Sequence, residues 1–416
     1  MSSLSQTPEP LYLPFRGVKN DDTAFLPLNS GLREIRCVIL LPGYGDDPIE
    51  CELVYTNIDE KSDDRTPYVA LSYCWGAVED TVEIQLYSPS TNPSSASKEP
   101  ISTPFRITQN LYIALQALRN EKRQCLWIDA LCINQQDPRE KTHQVQLMGK
   151  IYSSAESVVV WLGPEDEYIR FFMRAWTKHI RPLIDHDTVE QTWGLWGTLR
   201  EDTHPLWTCM AQDKVLSQLG SELDDEMLDN SSPDRCRNAM LAGLRSLVSR
   251  PWWSRIWVLQ EVLLAPKNEE SRQKVEFRIG SGTLRWYEIS NTQITSARCL
   301  KLASYEKIQR AWAYIIARDA LPEYMEVKWL LRFTRRFHAS DPRDKLFALL
   351  LLASDTKDCL WKEPLISPDY TKSTKTVFDD LIRWKPSLAG LKIDVEGIGD
   401  VKLTGDSEWP TMENEY

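Results

Sequence analysis

Two carboxylates, a pair of cysteines and a set of tryptophans are the groups in this sequence whose types and spacing could do chemistry. Asp129 closes the apolar run Leu126–Asp129. Glu261 sits near the end of the block RPWWSRIWVLQEV, residues 250–262. Pro251 fits a helix start, which would place Trp253, Trp257 and Glu261 at i, i+4 and i+8 on one side of a helix. Cys74 and Cys132 fall near the same region, but a nucleophilic thiol needs a neighbouring base and no His is close in sequence. The five His are isolated and the nine Cys are scattered without a C-x-x-C, so no metal site is predicted. No G-x-G-x-x-G occurs, which argues against a dehydrogenase-type dinucleotide site. Carboxylate chemistry remains, with two readings for each group. Glu261 is either a pocket carboxylate or an ion-pair partner of Arg250 or Arg255. Asp129 is either a pocket group or a turn cap, and Asn134 and Gln135 either reach a ligand or bond the turn backbone.

The elements that must position these residues centre on Leu126–Gly163. Leu126–Asp129 reads as a strand. Asp137-Pro138-Arg139-Glu140 reads as a helix start, with an N-cap, Pro at the first position and Glu three residues later. Val145, Met148, Ile151 and Tyr152 give that helix an apolar face. Ser157–Leu162, stopped by Gly163-Pro164, reads as a buried strand. The unit has the size of a βαβ motif. Upstream, Glu34–Leu41, Cys51–Tyr55 and Tyr68–Tyr73 read as strands, and Thr108 caps a helix faced by Leu111, Leu115 and Leu118. A Ser/Pro/Asn-rich loop is expected over Ser88–Pro104. Glu165 to Leu247 reads as a helical insertion with an acidic loop near Asp224–Asp234. A hairpin is expected over 275–290 around Gly280-Ser-Gly282. Capped helices are expected at Asp341–Phe347 and Lys372–Trp384.

Composition bounds the function classes. The chain has 416 residues, 42% of them hydrophobic and 26% charged, with 16 Trp and a net charge of −11. Those fractions are ordinary for a globular protein, and the acidic balance argues against a general nucleic-acid or anionic-membrane binder. No apolar run is long enough to span a bilayer, and the first ten residues lack the apolar core of a signal peptide. Scattered, odd-numbered cysteines read as reduced thiols. A cytoplasmic location is therefore predicted, with no nucleic acid and no membrane span.

Three blocks stand together: YVALSYCWG (68–76), the 126–163 stretch and RPWWSRIWVLQEV (250–262). The set resembles the HET domain, the fungal heterokaryon-incompatibility domain. DPRDKLF (341–347) and Pro368-Asp-Tyr370 resemble segments that often follow it. The resemblance implies fungal non-self recognition ending in programmed cell death of fused cells. HET domains are in turn similar to TIR domains, which implies an α/β fold: a TIR/flavodoxin-like parallel sheet with flanking helices. In such a sheet ligands sit at the carboxyl ends of the strands, which here carry Ser72, Tyr73, Trp75, Gly76, Asp129, Asn134 and Gln135. NAD-cleaving TIR domains carry a catalytic Glu in a W-x-x-x-E pattern, and Trp257-Val-Leu-Gln-Glu261 has that spacing. The resemblance thus makes Glu261 the catalytic candidate, Trp257 and Trp75 stacking surfaces, and NAD+ a substrate rather than a cofactor. One carboxylate suits the reaction, whose transition state is oxocarbenium-like.

The expected organisation is an N-terminal arm (1–35), the HET domain (36–265, with the insertion at 165–247), a mainly helical region (266–384) and a tail (385–416). The alternative to an NAD+ glycohydrolase is a non-catalytic module in the same pathway, self-associating or binding a receptor or allelic partner through its Trp-rich helices.

Overall fold

The computed structural model of the chain describes residues 25–29, 33–59, 65–89, 101–183, 233–268, 273–286, 288, 325–356, 366–395 and 399–402. Most of the expected N-terminal arm, the low-complexity stretch at 90–100, the middle of the insertion with most of its acidic loop, and the end of the tail lie outside them.

Nine strands form one sheet: β1 (Glu34–Leu40), β2 (Glu50–Asn57), β3 (Val69–Tyr73), β4 (Thr81–Ser88), β5 (Ile101–Thr108), β6 (Gln124–Trp127), β7 (Ser157–Trp161), β8 (Val275–Ile279) and β9 (Gly282–Arg285). Their order is β5-β4-β2-β1-β6-β3-β7-β8-β9. The sheet is mixed, where an all-parallel one was expected. The central run β6-β3-β7-β8 is parallel, because helices cross over between its strands. Further strands extend it on both sides: β1 on β6, β2 on β1, β5 on β4 and β9 on β8 are antiparallel, while β4 runs parallel to β2. The expected Ser88–Pro104 loop is in part strand, since β5 begins at Ile101 and pairs with β4 along its length. The β8–β9 hairpin turns through Gly280 at φ 54°, a conformation Gly adopts without strain.

The middle strands carry the core. Four of five residues in β3 and in β7 are buried, as expected for strands covered on both faces. Helices α1 (Gln109–Leu118), α2 (Asp129–Cys132), α3 (Pro138–Ser154), α4 (Glu167–Ala175), α5 (Pro233–Val248) and α6 (Val258–Leu263) pack around them. Two sequence readings need correction here. Asp129 does not close a strand; β6 stops at Trp127 and Asp129 opens α2. The Pro251 block is not one helix. Pro251–Ser254 makes a single 3-10 turn, Arg255 is extended, and α6 begins only at Val258. The break has a tertiary cause: Arg255 bridges to His338, and the Ile256 amide donates to the His338 carbonyl at 2.9 Å. Trp253 therefore leaves the Glu261 face, while Trp257 keeps its one-turn spacing from Glu261.

Among the described residues, most of the tryptophans expected to offer an interaction surface are interior, and Trp329 is exposed. Trp127, Trp161, Trp176, Trp252 and Trp253 are among the largest fully buried side chains. Trp252 and Trp253 pack edge to face at 4.8 Å, and Trp253 stacks on Phe277 at 5.6 Å. The described parts of the insertion are helical as expected, with the second helix already begun at Pro233. There α4 and α5 cross at Gly243, where an added Cβ would come within 2.5 Å of the Tyr168 carbonyl oxygen and the Phe172 Cβ. Gly243→Ala is expected to cost about 1–3 kcal/mol by overpacking, read as a lowered melting temperature.

The C-terminal region contributes α7 (Val327–Phe333), α8 (Asp344–Phe347), α9 (Thr374–Trp384) and the strand pair β10 (Lys392–Val395) and β11 (Gly399–Lys402). It docks on the Pro251 block and on α3. The Tyr370 amide donates to Thr142 Oγ1 at 3.1 Å and Gln146 Nε2 donates to the Pro368 carbonyl at 2.8 Å. Among the described residues no helix is long and apolar enough to cross a membrane.

Candidate active site

Three chain segments meet at the carboxyl end of the parallel strands. β3 runs out through Cys74-Trp75-Gly76, with Gly76 at φ 80°. β6 runs into Asp129. The Pro251 block brings Arg255, Trp257 and Glu261 across them. A cleft of about 500 Å³ opens there, lined by Trp75, Gly76, Asp129, Gln135, Trp257 and Glu261 among others. That lies within the usual range of ligand pockets, roughly 300–1,000 Å³.

Six of the nine residues singled out from sequence thus share one cavity. Ser72 and Tyr73 do not line it; they are buried at 1% and 2% exposure, one layer beneath. The Ser72 hydroxyl donates to Glu261 Oε2 and accepts from Trp252 Nε1, the latter at 2.8 Å. Asn134 is also held back from the cleft. Its Oδ1 accepts the Gln136 amide at 3.0 Å and its own amide donates to Glu140 Oε1 at 2.7 Å. It lines a smaller neighbouring hollow with Tyr73, separated from the cleft by Trp75 and Gln135, which border both.

Asp129 is fixed by its own turn and by aromatic neighbours. Trp75 Nε1 donates to Asp129 Oδ2 at 2.7 Å and the Ala130 amide to Oδ1 at 2.8 Å, while Gln135 Nε2 donates to the Asp129 carbonyl at 2.9 Å. Asp129 is therefore a turn cap and a cavity group at once. Burial raises its pKa, against the pull of Arg255 and the Trp75 hydrogen bond. Glu261 is 3% exposed. Burial pushes its pKa up to about 7; Arg255 and the Ser72 hydroxyl pull down and Asp129 adds to the rise. Burial opposes the charge on Arg255, but Glu261, Cys74 and Asp129 outweigh it and keep the guanidinium protonated. Arg255 does not clasp Glu261; its Nη1 donates to the Tyr73 carbonyl. Burial also raises the Cys74 thiol, so it stays un-ionised, as a poor nucleophile.

Because the Ser72 hydrogen bond favours the ionised carboxylate, Ser72→Ala is expected to raise the Glu261 pKa beyond its value of about 7. Titration of the Glu261 carboxyl by NMR or infrared difference spectroscopy checks this shift, and an unchanged midpoint would mean the contact does not hold in solution.

The remaining walls come from residues the sequence reading left unplaced: Lys141 on α3, and His338, Asp341, Asp344 and Tyr370 from the C-terminal region. The DPRDKLF and Pro-Asp-Tyr blocks stood out as segments, but nothing in the sequence placed them against Trp257.

The family model described as heterokaryon incompatibility protein (HET) matches residues 68–261, from Tyr68 just before β3 to the cleft carboxylate. This chain carries a HET domain. It is also similar to heterokaryon incompatibility protein 6, OR allele, of Neurospora crassa, at 47% identity over 103 residues. That alignment covers 23% of this chain and 14% of the relative, so the chain spans only a small part of that protein's length. No solved structure matches the chain. The HET-domain match begins and ends on the segments that build the cleft, whereas the Asp344 and Tyr370 wall lies beyond it.

Proposed function

We propose that the chain acts in fungal heterokaryon incompatibility and that its HET domain hydrolyses NAD+ between nicotinamide and ribose. The family match and the printed name of the Neurospora relative support the first part. The second rests on one observation: Glu261, on the W-x-x-x-E spacing of NAD-cleaving TIR domains, sits in an aromatic-walled cleft of about 500 Å³ with a pKa near 7.

The chemistry follows from the charges. In NAD+ the nicotinamide ring is cationic, and breaking the N1–C1′ bond returns the electron pair to N1, which leaves as neutral nicotinamide. Positive charge moves onto C1′ and the ring oxygen of the ribose. Ionised Glu261 stabilises it, and Asp129 adds negative potential in a water-poor site. Water then bonds to C1′ and loses its proton to the carboxylate pair, giving ADP-ribose and one proton. Arg255 keeps Glu261 from neutralising altogether, Ser72 fixes its orientation, and Trp75 and Trp257 offer faces for the nicotinamide or a base. Loss of NAD+ would serve as the cell-death signal, in the cytoplasm, with the domain active when copies assemble.

The test is incubation of the purified full chain with NAD+, with and without crowding to promote assembly, following nicotinamide. Release that vanishes in Glu261→Gln supports the enzyme. No release under either condition moves the function to a scaffold that acts through a receptor or allelic partner. Trp252 and Trp253 are buried and offer no surface to such a partner, whereas Trp329 is exposed.

A further inference from the structure

We infer that Lys141 of the HET domain, supported by Tyr370 from the region beyond it, forms a phosphate subsite at one wall of the cleft. Lys141 sits in the first turns of α3 and lines the cleft. Its Nζ lies 4.7 Å from the centroid of the Tyr370 ring, and no carboxylate comes within salt-bridge distance of it among the described residues. An ammonium held over an aromatic face keeps its hydrogen-bonding capacity for a ligand.

Tyr370 is anchored on every side. Its hydroxyl donates to Asp344 Oδ1 at 2.6 Å, its amide to Thr142 Oγ1 at 3.1 Å, and its carbonyl accepts from Arg343 Nη1 at 2.9 Å. The Arg343 guanidinium packs on the same ring at 5.1 Å and Phe347 meets it edge on at 5.3 Å. The acidic groups of this wall are already engaged. Asp341 is held by Arg343 at 2.5 Å. Asp344 takes the Tyr370 hydroxyl, and burial and Asp341 raise its pKa while Lys141, Tyr370 and Trp257 pull it back. Arg255, the other cleft cation, faces Glu261 and Asp129. Lys141 is therefore the cleft cation best placed to meet an anion brought by a ligand.

The ligand class is a phosphate or diphosphate ester whose other end reaches Glu261. Its identity as a ribosyl nucleotide rests on the hydrolase reading; the anion subsite does not. The subsite also explains why the cleft needs a region outside the HET domain: without Tyr370 the Lys141 side chain has no platform.

Calorimetric titration of the full chain with ADP-ribose, nicotinamide riboside and inorganic pyrophosphate tests it, comparing wild type with Lys141→Met and Tyr370→Leu. Lys141→Met keeps most of the stem and removes the charge. It is expected to weaken ADP-ribose and pyrophosphate binding by roughly 10- to 100-fold, at least tenfold more than nicotinamide riboside binding. It should also flatten the salt dependence. Tyr370→Leu should weaken pyrophosphate in the same direction. Equal losses for all three ligands, or pyrophosphate binding indifferent to Lys141, would overturn the subsite. If pyrophosphate binds through Lys141 while ADP-ribose and NAD+ do not bind at all, the subsite stands and the hydrolase reading falls. If wild type binds neither ADP-ribose nor pyrophosphate, the subsite is wrong.

Discussion

Glu261→Gln is expected to remove nicotinamide release by at least two to three orders of magnitude while making the protein more stable at pH 8. Both effects come from one buried carboxyl. In the transition state of N-glycosidic cleavage, positive charge grows on the ribose, and a fixed anion there is worth roughly 10²–10³ in rate. Gln keeps the shape and loses the charge. The stability effect follows from the pKa, raised from 4.5 to about 7. A group whose folded pKa is raised gives stability that is fully present below the unfolded value and lost as pH climbs through the folded value. Ionising Glu261 inside the protein therefore costs stability between about pH 4.5 and 7. The full shift corresponds to about 3 kcal/mol, and Gln, neutral at every pH, does not incur it. Denaturant unfolding of both proteins at pH 4 and pH 8 should show near parity at the first and a more stable variant at the second. Wild-type activity should rise with pH through about 7. If Glu261 served only as an ion-pair partner of Arg255, Gln would destabilise the protein at pH 8 and leave any activity in place.

The parts of this site that could be read from sequence are those whose position is set locally. The apolar run at β7 and the Asp-Pro start of α3 declare themselves through residue type, and both are where they were expected. Glu261 and Trp257 are four residues apart in the sequence, and the Glu261 amide closes one turn onto the Trp257 carbonyl at the start of α6. Arrangements set by tertiary partners were not legible. Asp129 reads as a strand end because apolar residues precede it, yet α2 begins there. The Pro251 block reads as a helix because its Trp spacing is helical; pairing of Arg255 with His338, far along the chain, breaks it. Thr81–Ser88 forms a strand that the sequence reading did not name, although Ile84 and Leu86 alternate inward. Nothing local marks Lys141, whose place in the cleft is set by Tyr370, more than two hundred residues later.

The same distinction gives the second large effect. Glu140 reads as the third residue of a helix cap, but its carboxylate does not turn back to the α3 start. It forms a two-pronged pair with Arg36 of β1, at 2.5 and 2.9 Å. Arg36 is 0% exposed. Its remaining hydrogen bonds go to the Cys132 and Leu26 carbonyls at 3.2 and 2.6 Å, and its guanidinium lies 4.8 Å from the Phe25 ring centroid. Glu140 Oε1 also takes the Asn134 amide, so one ion pair fastens the sheet to the loop that carries Gln135 into the cleft. Glu140→Ala leaves a buried guanidinium without its counter-charge, and such losses cost about 3–5 kcal/mol. Replacing both partners by apolar residues, Arg36→Met with Glu140→Leu, should cost far less, since the desolvation of both charges disappears with their attraction. Denaturant unfolding of the two single variants and the double variant measures this directly. A near-additive cycle would mean that the pair is not coupled. The expected outcome is strong non-additivity, together with faster amide exchange at residues 134–136 in Glu140→Ala and a weaker hold on any cleft ligand, because Gln135 and the Asp129 turn lose the clamp that aims them at it.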